Sequence, residues 1–218
     1  WITMNRLRHY AIVLGCLTGI LGAVDRASAQ CNPPQTATIR LVVVDSPTPL
    51  AEINIDPAAL TNAIALSSHV LDEDQPLYME MWVTTTGGAN RGITSSYVNV
   101  SYTMGNLATA PGAPITISGS PWGTLNCGTG DCSTADDTPG MLINLGSTVI
   151  PGNQNVGRQQ NWWRIAVVDF RVSEFPQGNL VFESGPPAMP GLGNGIAING
   201  CGNLLPENIN YGSWTITF

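Results

Sequence analysis

Residues 77–85 read LYMEMWVTT, and residues 93–104 read ITSSYVNVSYTM. Both stretches alternate between apolar and polar or aromatic side chains. In the first stretch one face holds Leu77, Met79, Met81 and Val83, and the other holds Tyr78, Glu80, Trp82 and Thr84. An alternation with period two is typical of a β-strand with one buried face and one face toward water or a partner. These two stretches therefore predict a β-sheet protein in which each of these strands packs one face against the core.

Six further runs with strand character lie between turn-forming residues, at 36–45, 114–118, 141–150, 161–172, 179–183 and 213–218. The run 161–172 is apolar on both faces, which predicts a central strand. The Gly-rich residues 86–92 predict a hairpin-like connection. Asp56 and Pro57 could cap a short helix that runs toward Leu66. We predict an all-β jelly-roll β-sandwich of about eight to nine mostly antiparallel strands, with at most one short helix.

The composition excludes several classes of protein. The chain has 218 residues, of which 43% are hydrophobic and only 11% are charged, and its net charge is −7. An acidic chain without a basic stripe is not expected to bind nucleic acid. No apolar run downstream of the N-terminal region is long enough to span a bilayer.

The N-terminal region has the pattern of a secretory signal peptide. Arg6, Arg8 and His9 precede an apolar stretch from Tyr10 to Val24, and Ala27-Ser28-Ala29 is a small-x-small cleavage motif. The alternative is an uncleaved anchor helix. We expect cleavage after Ala29, which makes residues 1–29 upstream residues plus a signal peptide. Residues 30–218 then form one domain that is secreted or held at the cell surface.

Four cysteines remain after cleavage, namely Cys31, Cys127, Cys132 and Cys201. An even number in an exported chain predicts two disulfides, for which three connectivities exist. Cys127 and Cys132 could close their own Gly-rich loop, and that pairing would leave Cys31 for Cys201. A metal site is the competing interpretation, but the cysteine spacing is poor for zinc.

The residues with catalytic chemistry form no recognisable motif. His69 is the single histidine after cleavage, and no nucleophile motif accompanies it. Glu80, Asp169 and Glu183 are candidate carboxylates for glycoside hydrolysis, although the sequence does not place any two at a catalytic separation. Asp131, Asp136 and Asp137 give a weak calcium pattern. We therefore predict a non-enzyme without a cofactor or a metal, with structural calcium near these three residues as the alternative.

Several of these strands resemble those of cohesin-like modules in exported proteins of planctomycete-type bacteria. Tyr78–Gly88 resembles the opening strand of such a module, and Ser96–Tyr102 resembles the strand that follows. Trp163–Val172 and Gly178–Phe182 are similar to the late strand pair, in the same order along the chain. The resemblance implies a nine-stranded jelly roll without catalytic residues. It also implies a protein partner, such as a dockerin, that is bound on one exposed sheet face.

The predicted contact residues for such a partner are Tyr78, Glu80, Trp82, Tyr97 and Asn99. The alternative function is a carbohydrate-binding module, in which Trp82 and Tyr97 stack on sugar rings if their strands pair. The alternative placement of Trp82 is under a loop or against the other sheet. We expect a monomer whose partner is a protein or polysaccharide outside the cell or at its surface.

Overall fold

A computed structural model gives the fold of most of the chain that follows the predicted signal peptide. It describes residues 31, 33–50, 54–63, 72, 74–88, 90–103, 107–109, 116–117, 122–126, 140–151, 156–158, 161–172, 178–188 and 193–217. The predicted signal peptide, His69, the Cys127–Cys132 loop and the three aspartates of the calcium pattern lie outside these residues.

The described residues form thirteen strands and two short 3-10 helices. The strands are Gln35–Val44 (β1), Pro76–Gly87 (β2), Ile93–Tyr102 (β3), Leu107–Thr109 (β4), Thr116–Ile117 (β5), Trp122–Asn126 (β6), Met141–Val149 (β7), Trp163–Val172 (β8), Asn179–Gly185 (β9), Ile196–Ile198 (β10), Gly202–Asn203 (β11), Ile209–Asn210 (β12) and Ser213–Thr217 (β13). The helices are Pro57–Ala59 and Pro206–Asn208. Within this part of the chain, no helix has the length and apolar content needed to cross a bilayer.

The strands form two sheets that face each other across one core. Sheet A has the order β12-β1-β2-β8-β4, with β5 also paired to β8. Sheet B has the order β11-β10-β3-β7-β6, with β9 paired to β3 and β13 paired to β9. The pairing of β1 with β12 is parallel, and the other described pairings are antiparallel. This architecture confirms the predicted all-β jelly-roll sandwich, and eight of the described strands have five or more residues.

The predicted runs correspond to β1, β2, β3, β5, β7, β8, β9 and β13, and β8 is central as expected. The helix start is also confirmed, because Asp56 accepts a hydrogen bond from the backbone of Ala58. That helix ends at Ala59 and does not run toward Leu66, since Leu60 already has an extended backbone.

The predicted hairpin between β2 and β3 is wrong, because the two strands belong to different sheets. Residues 156 and 157 lie between β2 and β3, and their carbonyls accept backbone hydrogen bonds from both strands. The N–H of Thr85 donates to the carbonyl of Gly157 at 2.7 Å, and the N–H of Ile93 donates to the carbonyl of Val156 at 2.8 Å. The Gly-rich connection therefore carries the chain from one sheet to the other.

The core consists of the inward side chains of both sheets. Leu77, Met79, Met81 and Val83 of β2 all lie in it, as the alternation predicts. Tyr102, Phe170 and Phe182 join the two sheets, with edge-to-face contacts from Phe170 to each of the other two rings. Such aromatic pairs contribute stability beyond the apolar area that they bury.

The chain closes one side of the sandwich near its C-terminal strands. β12 pairs with β1 in sheet A, and β13 then pairs with β9 in sheet B. Gly212 lies at the crossing, where an added Cβ would be 2.5 Å from the carbonyl oxygen of Ile39. A disulfide joins Cys31 to Cys201, which confirms one of the two predicted bridges.

Candidate functional site

The middle of the outer face of sheet A is covered by the protein's own chain. Val42, Val44, Trp82 and Trp162 form a second apolar cluster on this face. Ile55, Leu60 and Ala63 pack against the cluster from a segment that we call the strap, defined as residues 45–50 and 54–63. The middle of a face that normally meets water in an antiparallel sheet is thus removed from solvent.

A buried ion pair lies beneath the strap. Glu80 is 0% exposed and Arg164 is 3% exposed, and the Nη1 atom of Arg164 donates to the Oε1 atom of Glu80. The backbone N–H of Thr48 donates to Oε1 of Glu80 at 2.7 Å, and the Thr48 hydroxyl donates to Oε2 at 2.8 Å. The indole N–H of Trp82 also donates to Oε2, at 3.2 Å. The buried carboxylate therefore has the hydrogen bonds that offset its loss of hydration.

A β-bulge in β8 places Arg164 opposite this carboxylate. Met81 pairs with Ala166, whereas the next residue, Trp82, pairs with Arg164, so Ile165 is the extra residue. A bulge changes which face the following side chains occupy. As a result Ile165 joins the core and Arg164 lies on the outer face, where its Nη1 atom also donates to the carbonyl of Thr48 at 2.7 Å.

The predicted contact residues do not share an exposed face. Tyr78, Glu80 and Trp82 lie on the outer side of sheet A, whereas Tyr97 and Asn99 belong to sheet B. Trp82 is 0% exposed, and the strap covers it. The prediction that these five residues share one exposed surface is therefore wrong. Alternation identifies which face of a strand a side chain occupies, but it does not identify what packs on that face. The alternative placement of Trp82 under a loop is confirmed.

Tyr97 lies under the chain that leads into β10. Its N–H donates to the carbonyl of Gly195 at 2.7 Å, and Pro187 lies beside the same glycine. The residue is 7% exposed, and its burial raises the pKa of the phenol above the usual value of 10.0. Tyr97 therefore offers no open ring face for a sugar.

Asn99 helps to shape the outer side of sheet B and remains partly exposed. Its Oδ1 atom accepts from the N–H of Asn144 at 2.8 Å, at a bulge where Asn144 has a φ of 52°. The Oδ1 atom of Asn144 in turn accepts from the N–H of Ala188 at 2.9 Å. This chain of bonds fixes the loop after β9 to the sheet.

The outward side chains of four neighbouring strands in sheet B form a partly exposed surface. We call it the sheet B surface, and its members are Asn99 and Ser101 of β3, Met141 of β7, Val181 and Glu183 of β9, and Ser213 and Thr215 of β13. Glu183 lies opposite Ser213 on one side and Ser101 on the other. Of this set, the sequence predicts only Asn99 as a contact residue, although alternation in residues 179–183 and 213–218 could have indicated Val181, Glu183, Ser213 and Thr215.

The described carboxylates do not form a catalytic pair. Glu80 is sealed beneath Thr48, Asp169 lies on the outer side of sheet A, and Glu183 lies on the outer side of sheet B. Asp169 and Glu183 are thus separated by both sheets of the sandwich, which are about 10 Å apart. Among the residues that the structure describes, no cluster of His, Cys, Asp or Glu could hold a metal ion.

A small cavity lies beside the disulfide, and its lining residues are Cys31, Pro34, Gln35, Asn203, Leu204, Leu205 and Asn208. Its volume is about 10 Å³, which is about the space of one water molecule. A substrate or organic cofactor therefore does not fit there.

Comparisons with known proteins give similarities in fold alone. No family model matches the chain, and no curated protein matches it. One similar solved structure is the cohesin module of a family 33 glycoside hydrolase from Clostridium perfringens, at 8% identity and a TM-score of 0.47, covering 84% of this chain and 96% of that one. A second is a type III cohesin module from a cell-surface anchoring scaffoldin of Ruminococcus flavefaciens, at 13% identity and a TM-score of 0.46, covering 90% and 94%.

A third similar structure is a type II cohesin domain from the cellulosome of Acetivibrio cellulolyticus. Its identity is 14% and its TM-score is 0.43, with 83% of this chain and 95% of that chain covered. All three similar structures have TM-scores below 0.5 and identities of 14% or less.

Proposed function

We propose that this chain is an exported, non-catalytic module that binds another macromolecule through the sheet B surface. The observation that carries the proposal is the contrast between the two outer faces. The strap covers the middle of the outer face of sheet A, where Glu80 and Trp82 are 0% exposed, whereas four adjacent strands of sheet B keep outward side chains partly or fully exposed.

The chemistry of the sheet B surface supports recognition of a protein. Ser101, Ser213 and Thr215 offer hydroxyl groups, and Val181 and Met141 offer apolar contact beside them. Short side chains on a sheet lose little rotamer entropy when a partner covers them. Glu183 adds one negative charge, which favours a partner with a basic side chain at that position.

The placement of the carboxylates supports a non-catalytic role. A glycosidase needs two carboxyl groups that flank one bond. Glu80 is committed to Thr48 and Arg164, and Asp169 and Glu183 lie on opposite faces of the sandwich. None of these carboxylates can therefore act with another of them on one substrate.

We propose a protein partner with a dockerin-like or cell-surface role, which the sequence resemblance implies. Stacking on sugar rings needs open aromatic faces, and the burial of Trp82 and Tyr97 removes the platform that a carbohydrate-binding module would use. We propose further that the module acts outside the cell as a monomer.

Affinity capture with a pair of matched variants tests this proposal. The chain from residue 30 is immobilised and exposed to the secreted and cell-surface fraction of the source cells, first with calcium and then with a chelator. Thr215→Arg places a long cation on the sheet B surface, and Leu50→Arg places one on the strap, where Leu50 is 66% exposed.

We expect a protein that is captured by the unmodified chain and by Leu50→Arg but lost with Thr215→Arg. Equal capture by all three chains would contradict the proposed surface. Retention of polysaccharide without protein would instead favour the carbohydrate-binding alternative.

A further inference from the structure

The strap is a loop whose two ends are joined to each other. Val44 and Ala63 form an isolated antiparallel bridge. The N–H of Asp45 donates to the carbonyl of Asn62, and the side-chain amide of Asn62 donates to the carbonyl of Ser46 at 2.6 Å. These bonds close the base of the loop, so its two ends stay joined whether or not the chain between them is docked on the sheet.

The first part of the strap, residues 45–50, is held at Thr48 in the way that a peptide ligand is held. All three polar groups of Thr48 are bonded to the ion pair beneath it: the N–H and hydroxyl to Glu80, and the carbonyl to Arg164. Pro47 and Pro49 flank this threonine, and a residue that precedes proline prefers an extended backbone. A preformed extended segment loses little entropy when it docks.

The floor under Thr48 has the composition of a recognition groove. Its walls are the apolar side chains of Val42, Val44, Trp82 and Trp162, and its polar base is the Glu80–Arg164 pair. A buried ion pair adds little net stability compared with well-packed apolar residues, but it selects the groups that lie against it. Here the Glu80 carboxylate favours hydrogen-bond donors, and the Arg164 guanidinium favours an acceptor. Along an extended backbone each residue presents its N–H donor first and its carbonyl acceptor second.

We propose that the outer face of sheet A is a second binding groove, which takes an extended, proline-flanked threonine peptide and which residues 46–49 occupy in cis. The strap is then an autoinhibitory lid, and its Thr48 is the internal ligand. In trans, the same groove would take a Pro-Thr-Pro segment of another protein chain. This proposal concerns the opposite face from the sheet B surface, so each proposal can fail without the other.

The test uses the indole N–H of Trp82 as a reporter, because it bonds to Glu80 beneath the lid. Thr48→Pro removes the N–H and the hydroxyl that hold the strap and keeps the extended backbone. Thr48→Ser keeps all three polar groups and is the matched control. Hydrogen exchange at the indole of Trp82 is measured by NMR in both variants, with circular dichroism as a check of the fold.

Loss of hydrogen bonds to a charged group should speed this exchange about ten- to a hundredfold in Thr48→Pro. Exchange in Thr48→Ser should match the unmodified chain. Unchanged exchange in a folded Thr48→Pro chain would overturn the proposal, because Thr48 would then not hold the lid. Thr48→Val, which loses only the hydroxyl, provides a second variant if Thr48→Pro does not fold.

The second part of the test adds the groove's own peptide, VDSPTPL, which corresponds to residues 44–50 with blocked ends. Because a tether supplies an effective concentration on the order of millimolar, the titration extends through that range. We expect the peptide to slow the exchange at Trp82 in the opened variant, and a peptide with alanine for Thr48 to bind about tenfold more weakly. Fast exchange that neither peptide slows would show that the strap is only a structural cover.

Discussion

At the scale of single residues, Glu80 and Arg164 show how an ion pair can be stabilised inside a β-sandwich. Neither side chain reaches solvent to any useful extent, and four donors converge on the carboxylate. In the sequence, Glu80 is indistinguishable from a solvent-facing residue on an alternating strand. Its partner Arg164 lies 84 residues away, and its donor Thr48 comes from a loop. Local patterns therefore predict the face that Glu80 occupies but not its burial.

Glu80→Ala should lower the free energy of unfolding by about 3–5 kcal/mol, because it leaves the guanidinium of Arg164 buried without its counter-charge. The double variant Glu80→Met with Arg164→Met should recover most of this loss, since both charges are then gone. Urea denaturation measures both effects. Arg171→Met, which breaks the partly exposed pair with Asp169 at 3.4 Å, is the control and should change stability by less than about 1 kcal/mol. A double variant no more stable than Glu80→Ala would argue against this account.

Two tyrosines should titrate at unusually high pH. Burial raises the pKa of Tyr97 and of Tyr211 above 10.0, because the phenolate is less well solvated in the folded state than in the unfolded chain. Above pH 10 the unfolded chain then loses these protons first. The free energy of unfolding should therefore be unaffected by them below pH 10 and should fall as the pH rises toward the folded-state pKa values.

Absorbance at the phenolate band, followed with Tyr97→Phe and Tyr211→Phe, assigns these two groups. Each variant should remove one late-titrating phenol. Titration of both phenols at the usual pKa of 10.0 would contradict the burial that the structure shows.

At the scale of elements, strand existence follows from the sequence, whereas strand pairing does not. β1, β2, β3, β7, β8 and β9 are long enough for alternation to show, and the structure has them all. β4, β10, β11 and β12 have two or three residues each, too few for a period to be visible. The connection from β2 to β3 contains hairpin-forming glycines, but residues 156 and 157 supply the competing hydrogen bonds. The bulge at Ile165 likewise depends on tertiary packing.

Gly146 of β7 is where two strands approach too closely for a side chain. An added Cβ would overlap the carbonyl oxygen of Ser96 and lie 2.6 Å from the Cα of Tyr97. Gly146→Ala should therefore destabilise the fold by about 1–3 kcal/mol through overpacking. Gly185→Ala in β9 is the matched control, because no atom lies within 4 Å of its added Cβ. Thermal unfolding of the two variants decides the point, and equal melting temperatures would refute it.

At the scale of the whole molecule, the two sheets and the jelly-roll class could be predicted, and the faces available to a partner could not. Alternation in β2 and β3 gave two outward faces that looked equivalent. The strap, which contains few strand signals, makes them different by covering Trp82. The contact residues predicted on sheet A were consequently misplaced, while Asn99 on sheet B remains part of the proposed surface.

The Cys31–Cys201 disulfide should account for a large part of the global stability. It spans a sequence separation of 170 residues, and a loop of that length gives a stabilisation of about 5 kcal/mol if chain entropy in the unfolded state dominates. The double variant Cys31→Ser with Cys201→Ser should show this loss in urea denaturation. The unmodified chain, unfolded with and without reductant, is the comparison. A loss below about 1 kcal/mol would mean that the unfolded chain is already constrained in this region.

The same disulfide decides how the molecule would respond to mechanical load. Force applied at Cys31 and at Thr217 passes directly through the sulfur–sulfur bond to Cys201. The strands from β1 to β10 lie inside the covalent loop and cannot be extended by this force. Only the chain after Cys201 can be pulled out, to a length of roughly 55 Å when fully extended. The domain would thus act as a short, nearly inextensible link, with its resistance set by how β12 and β13 shear from β1 and β9.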